Sequence, residues 1–227
     1  MIAEGIVLVT GGSRGIGAAT ATLLAQQGRR VVIADIAPEA LIGTQTIMWP
    51  DRFDVASETG VNSGIAEIET AHGPITGLVN AAGVFGKMHS VERVRMDNWD
   101  REINIDLRGT FLVARSVGVR MAKRRHGAIV NVASVAGMTS GPIHAYTAAK
   151  AGVIQITQTL AAEWGRAGVR VNAVSPGFTR TAALEAGIAS GALDQNRLAR
   201  NTAMTGWWNQ QRLPKPSRGC SRPRAAA

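Results

Sequence analysis

Short, largely apolar and β-branched runs recur along the chain and alternate with stretches of helical periodicity. Ile6 to Val9, Val31 to Ala34, Leu78 to Val79, Ala128 to Val132 and Val169 to Val174 read as buried strands. Between them, Gly15 to Gln27 and Ala145 to Trp164 repeat their apolar residues at helical spacing, with Gly28 and Gly165 near the expected helix ends. Strands that alternate with helices pair in parallel, and such a sheet needs cover on both faces. The pattern therefore predicts an α/β, doubly wound, Rossmann-like parallel sheet. Ligands of these folds gather at the carboxyl ends of the strands, so the loops that follow each run are where chemistry is expected. No short-period repeat or low-complexity linker occurs before residue 205.

The length of 227 residues and an apolar fraction of 45% suit one domain with a full core. No apolar run approaches a membrane span, and the strand-like run at Ile6 begins too early for a signal peptide. A single cysteine excludes a disulfide framework and points to a cytoplasmic setting. The formal charge of +9 would suit nucleic acid if it were concentrated on one face. Its distribution argues otherwise: Arg212, Lys215, Arg218, Arg222 and Arg224 follow Thr205 with no acidic residue among them, which leaves +4 for the preceding chain. The basic string Lys123 to His126 precedes Gly127 and reads as cations at a helix end. His72, His89, His126 and His144 have no metal-ligand spacing, and no metal is expected. His89 and His144 are candidates to touch substrate, although solvated loop histidines are the plainer reading. Trp99 and Trp164 read as core or interface residues, and Trp49 as a cover for the sheet.

After the first strand comes Thr10-Gly11-Gly12-Ser13-Arg14-Gly15-Ile16-Gly17, which leads into a helix. Glycines there let the backbone turn sharply and approach a pyrophosphate resting on the helix N-terminus. Asp35 ends the second strand, where its carboxylate suits ribose hydroxyls and would repel a 2′-phosphate; its bland alternative is a helix N-cap. This favours NAD over NADP, with Arg14, Arg29 and Arg30 as cations that could reverse the preference. Further on, the only tyrosine, Tyr146, precedes Lys150 by four residues. On a helix that spacing sets phenol and ammonium on one face, about 6 Å apart along the axis. A phenol with a pKa of ~10 needs its anion stabilised to exchange protons near neutrality, and bringing it near 7 takes roughly 4 kcal/mol.

In their order along the chain, these motifs resemble the short-chain dehydrogenases/reductases, single-domain branch, from about residue 5 to residue 204. The resemblance rests on the Thr10 to Gly17 loop, Asp54-Val55, Asn80-Ala81-Ala82-Gly83, Asn104, Ser134, the Tyr146/Lys150 pair, and Pro176-Gly177 with Thr181. It implies that Asp54 meets the adenine amino group, that Val55 makes a backbone-level contact, and that Asn80, Ala81, Ala82 and Gly83 flank the cofactor. Ala81 stands where the family more usually has a second asparagine. The resemblance further assigns Ser134 to orienting the substrate oxygen and Tyr146 to acid-base transfer. Lys150 would hold the nicotinamide ribose and depress the phenol, and Asn104 would hold a water that links this lysine to solvent. Pro176, Gly177 and Thr181 would lie against the nicotinamide, with Thr179 as second choice for the carboxamide. Gly11, Ser13, Arg14, Gly15, Ile16 and Gly17 complete the cofactor set, and residues 182 to about 204 would form a substrate lid.

These implications define an NAD-dependent oxidoreductase acting on a small secondary alcohol or ketone. The alternatives are an NADP-dependent reductase of 3-oxoacyl thioesters and, in another class, a non-catalytic dinucleotide-binding or truncated remnant protein. Neither a nucleic-acid nor a membrane partner is expected. After residue 204 the chain departs from the family, whose terminal helix and strand are expected to be missing, and residues 205–227 form a divergent basic tail expected to be disordered. Codons chosen for Met204 to Pro223 and read from the third base of the methionine codon give DRLVEPAEIAEAVAWLLSP, which looks like the missing helix. The tail therefore reads as a shifted frame. Without the terminal helix and strand the expected assembly is at most a homodimer, with a tetramer doubtful.

Overall fold

Every residue of β1 (Ile6–Thr10) is buried, and its side chains divide between two cores. Ile6 and Leu8 join one, Val7 and Val9 the other, because successive side chains on a strand point to opposite faces. The structure is a computed structural model that describes residues 5–41, 44–49, 51–86 and 88–189. Around β1 stand β2 (Val31–Ala34), β3 (Ile47–Met48), β4 (Ile75–Asn80), β5 (Gly127–Val132) and β6 (Val169–Val174), all parallel, in the order β3-β2-β1-β4-β5-β6. The winding reverses between β1 and β4, whose last residues, Thr10 and Asn80, stand side by side. That reversal opens a crevice at the carboxyl ends of the strands.

Helix α1 (Gly15–Gln26) covers one face through Ala21 and Ala25. The other face is packed by α2 (Glu58–His72), α4 (Thr110–Arg124) and α5 (His144–Trp164), which contribute Ile65 and Ile68, Val113 and Val117, and Leu160 and Trp164. Between β4 and α4 the chain forms α3 (Met96–Glu102) and then a π-helical segment, Ile103–Gly109. Trp164 lies in the core because Gly118 on α4 makes room for it: a Cβ there would stand 2.1 Å from its ring. Trp49 is buried as a sheet cover and meets His72 edge-on.

The strand and helix expectations match the structure closely, with three instructive differences. β4 begins three residues before Leu78 because Gly77 pairs with Val7 across the sheet, a backbone bond that an apolar pattern does not register. β3 has two residues, too few to carry a pattern. The basic string ends α4 as read, but the stop is made by Arg125 in the left-handed region (φ 55), and Gly127 already belongs to β5.

The chain divides into two units, one ending at Gly177 and the other beginning at Phe178. In the second, Thr181 caps α6 (Ala182–Ala189): its hydroxyl accepts the Leu184 N–H at 3.3 Å. The lid beyond residue 189, the divergent tail, its shifted-frame reading and the expected loss of the terminal helix and strand all fall outside the described residues.

Candidate active site

Two glycines turn the chain between β1 and α1 with positive φ, Gly11 at 62° and Gly15 at 57°, a region costly for any residue with a Cβ. Gly17 is needed for a different reason, since a Cβ on it would stand 2.1 Å from the Gly11 carbonyl oxygen. The resulting loop is a backbone cradle in front of a helix whose first turn carries no acidic residue, so its N–H groups and dipole are available to an anion. Gly17→Ala forces this loop to shift. Its dinucleotide affinity should fall at least about tenfold while circular dichroism shows the sheet intact; unaltered affinity in calorimetry would refute the cradle.

Asp35, just after β2, accepts N–H bonds from Ser13 at 3.2 Å and from Ala37 at 3.2 Å. No helix starts at Asp35, so the N-cap alternative does not hold. The Ser13 hydroxyl accepts the Glu39 N–H, and Arg14 pairs with the Glu39 carboxylate. Asp54 caps its own turn by accepting the Ala56 N–H at 3.0 Å, and Val55 is buried against Gly109.

The Asn80 to Gly83 segment leaves β4 directly over this loop: a Cβ on Gly11 would lie 2.7 Å from Ala82. The Asn80 side chain is buried and structural, donating to the Thr110 carbonyl at 3.3 Å and to Asn131 at 2.9 Å. Ala81 and Ala82 pack against the two cores. Gly83 ends the segment beside Lys150, where a Cβ would stand 3.5 Å from Nζ.

On α5, Tyr146 and Lys150 share a face as their spacing requires, with Nζ 5.5 Å from the centroid of the phenol ring. Lys150 is buried, and its ammonium donates to the Val132 carbonyl at 3.1 Å. Ser134, in the loop after β5, accepts the Ala136 N–H at 3.1 Å and lies close enough to Tyr146 to pull its phenol down. The Pro176 carbonyl steadies this loop by accepting the Val135 N–H at 3.2 Å, and Gly177 follows at the end of the same unit. Thr181, the other half of that expected nicotinamide contact, belongs to the second unit.

Two expectations need correction. The phenol lies above its ordinary value: burial pushes it up, the nearby Ser134 hydroxyl pulls it down, and the charges of Asp106 and Glu102 push it further up. A four-residue spacing reveals only the lysine, and neither burial nor the two carboxylates is visible in it. Asn104, assigned to the lysine's water, is exposed. The side chain that the π-helical segment turns inward is Asp106, fully buried, its Oδ1 accepting the Val84 N–H at 2.7 Å and its Oδ2 standing 3.9 Å from the Lys150 ammonium. A register signal was present: Asp106, Thr110, Val113, Val117 and Met121 are spaced by three or four residues and all are buried. Asn104 lies off that stripe.

Burial lifts the Asp106 carboxyl to about 6, against the pull of Lys150 and the Val84 N–H. Burial also lowers Lys150, which Asp106 raises in return. Phe85, singled out by no motif, stands edge-on to Tyr146 with ring centroids 5.0 Å apart and is exposed. His89 and His144 line a small recess with Trp99 and Glu102, and the His144 Nε2 is buried there without a partner among the described residues. No helix among the described residues is long and apolar enough to cross a membrane.

Residues 5–189 match the family model described as short chain dehydrogenase. The chain is 39% identical over 179 residues to the D-threitol dehydrogenase of Mycolicibacterium smegmatis, covering 75% of this chain and 68% of that protein. Among solved structures it is similar to an NAD+-bound xylitol dehydrogenase, with a TM-score of 0.83, 27% identity, and 91% and 88% of the two chains covered. It is also similar to the structure described as ElxO with NADP bound, with a TM-score of 0.84, 26% identity, and 91% and 87% covered. With its cradle, its Ser134/Tyr146/Lys150 group and these likenesses, the chain belongs to the short-chain dehydrogenase family, oxidoreductases that act on hydroxyl and carbonyl groups with a nicotinamide cofactor.

Proposed function

We propose that this protein is an NAD-dependent oxidoreductase that interconverts a small secondary alcohol and the corresponding ketone. The observation that carries the reading is Tyr146 set on one face of α5 with the buried Lys150, its ammonium 5.5 Å from the ring, at the strand ends that also bear Ser134 and the glycine cradle. The cradle suits a dinucleotide because Gly11 and Gly17, where a Cβ would strike the Ala82 backbone and the Gly11 carbonyl, let the loop close tightly in front of the N-terminus of α1, whose N–H groups suit a pyrophosphate. Gly11 to Gly17 would hold the phosphates, Asp35 the adenosine ribose and Lys150 the nicotinamide ribose. The nicotinamide, when bound, supplies the hydride chemistry.

The protein's own part is to place and protonate the substrate oxygen. Hydride arriving at a ketone carbon builds negative charge on oxygen, and the two hydroxyls of Ser134 and Tyr146 converge where that charge forms. Ser134 orients the oxygen, Tyr146 gives it a proton, and Lys150 stabilises the phenolate that remains. In the oxidative direction the same phenolate removes the proton. A screen of secondary alcohols and ketones with NAD and NADP tests the reading, and no cofactor-linked turnover anywhere in the panel would overturn it.

The preference for NAD rests on Asp35, whose carboxylate stands at the end of β2, and on Arg14, whose charge is already engaged by Glu39. A 2′-phosphate there would meet an anion with no free arginine beside it on that loop. NADH should bind at least about tenfold more tightly than NADPH, and Asp35→Ala should shrink that ratio. Tighter binding of NADPH in a fluorescence titration would show that Asp35 does not select the cofactor.

A further inference from the structure

Phe85 is a large apolar side chain left half exposed (53%), although its ring stands edge-on to that of Tyr146 with centroids 5.0 Å apart. Its backbone is fixed from both sides. The Val84 N–H donates to the buried Asp106 carboxylate at 2.7 Å, and Gly86 packs so closely on the buried Glu102 that a Cβ on it would collide with the carboxylate. Farther along the same loop the His89 N–H donates to the Pro142 carbonyl at 3.1 Å, which ties the loop to the residues just before α5. These contacts present the ring beside the phenol without using the ring itself. We propose that Phe85 is a specificity-determining residue: it forms an apolar wall beside the reacting carbonyl and selects substrates that carry an aryl or other bulky apolar group over those that carry a polyhydroxylated chain. The proposal rests on the oxidoreductase reading.

A half-exposed ring keeps apolar area in water, and an apolar group of the substrate gains by covering it. A hydroxylated chain laid on the same ring would lose water from its hydroxyls and find no donor or acceptor there. An aryl group can also add a further edge-on or offset contact to Phe85. Two more apolar side chains belong to the segments that flank the site: Met88, three residues beyond Phe85, and Met138, which ends the turn after Ser134, are both exposed. The polar side chains gather elsewhere. His89, His144, Arg95, Asn98 and Glu102 line a recess of about 30 Å³, which has room for a water or two and none for a hydroxylated chain. The edge-on contact would also let Phe85 prop the phenol, and kinetics separate the two roles. A wall that meets the substrate before and during reaction alike acts on KM, and only for substrates that reach it, whereas a prop of the phenol acts on kcat for every substrate.

The test compares two ketones of matching size, 1-phenylpropan-2-one and a ketopentose, each reduced with whichever reduced nicotinamide cofactor the protein binds more tightly. The kcat/KM for the aryl ketone should exceed that for the ketopentose, and Phe85→Ala should lower the ratio of the two by at least about tenfold, with the loss falling on KM for the aryl ketone. Phe85→Leu keeps an apolar wall and should keep most of the ratio. Phe85 is half exposed on a loop, so both variants should fold, which circular dichroism checks. A wild-type preference for the ketopentose overturns the proposal. So does a ratio that Phe85→Ala leaves unchanged, including the case in which kcat falls equally for both ketones and Phe85 only props the phenol. No turnover of either ketone would sink the oxidoreductase reading, and calorimetry of the same two ketones on the wild-type and Phe85→Ala proteins would then decide the role of Phe85. Tighter binding of the aryl ketone that is lost in the variant upholds the wall, and equal binding or none overturns it.

Discussion

Tyr146→Phe should lower ketone reduction by about 10²–10⁴-fold, the usual contribution of a positioned general acid, while NADH affinity changes less than about twofold. The substitution removes one oxygen and keeps the ring, so the edge-on contact with Phe85 at 5.0 Å and the 5.5 Å approach of the Lys150 ammonium are preserved. What it deletes is the phenol hydroxyl, the group to which the proton transfer is assigned. The loss should therefore fall on kcat and kcat/KM alike, the pattern of an interaction made only in the transition state. Ser134 remains as a hydrogen-bond donor, and a slow residual rate should lose the pH dependence that belongs to the phenol. Substantial surviving reduction with an unchanged pH profile would remove Tyr146 from the role of acid.

The fold was legible because its signals are local. β1 and β2 are unbroken apolar runs, and α5 carries its buried stripe from Ala145 to Trp164. The glycines at 11, 15 and 17 were readable for a similar reason, since a strand, a tight turn and a helix follow one another within a dozen residues. What stayed hidden depended on contacts distant in sequence. The burial of Asp106 is decided by α5, some forty residues on, and by the Val84 backbone, so residue type pointed to Asn104 where register pointed to Asp106. The direction of the Tyr146 shift was hidden for the same cause: a spacing of four residues reports the lysine, and nothing local reports the carboxylates that surround the pair. Phe85 lies on a loop, where no period marks which side chains turn toward a site.

Replacing Lys150 should damage more than one property, and the damage should separate. Lys150→Met keeps most of the side-chain volume, loses the ammonium, and leaves the buried Asp106 carboxyl without its only nearby cation on α5. Turnover should fall by at least about 10²-fold because the phenolate loses its stabilising charge, and NADH affinity should fall because the same ammonium is assigned to the nicotinamide ribose. Stability should fall as well, by about 3 kcal/mol for an unpaired buried charge. Its pH dependence has a definite sign. A carboxyl held above its unfolded value, as Asp106 is at about 6 against 3.8, costs the fold free energy as pH rises through that range, so the deficit should be largest at neutral and alkaline pH and fade in acid. The double variant Lys150→Met/Asp106→Asn should recover stability without recovering turnover or cofactor affinity, since it removes the orphaned charge and restores no cation. Denaturant unfolding at several pH values, run beside NADH titration and a rate assay, reads all three properties. Unchanged NADH affinity in Lys150→Met would contradict the ribose contact, and turnover regained in the double variant would mean that Lys150 serves only to neutralise Asp106.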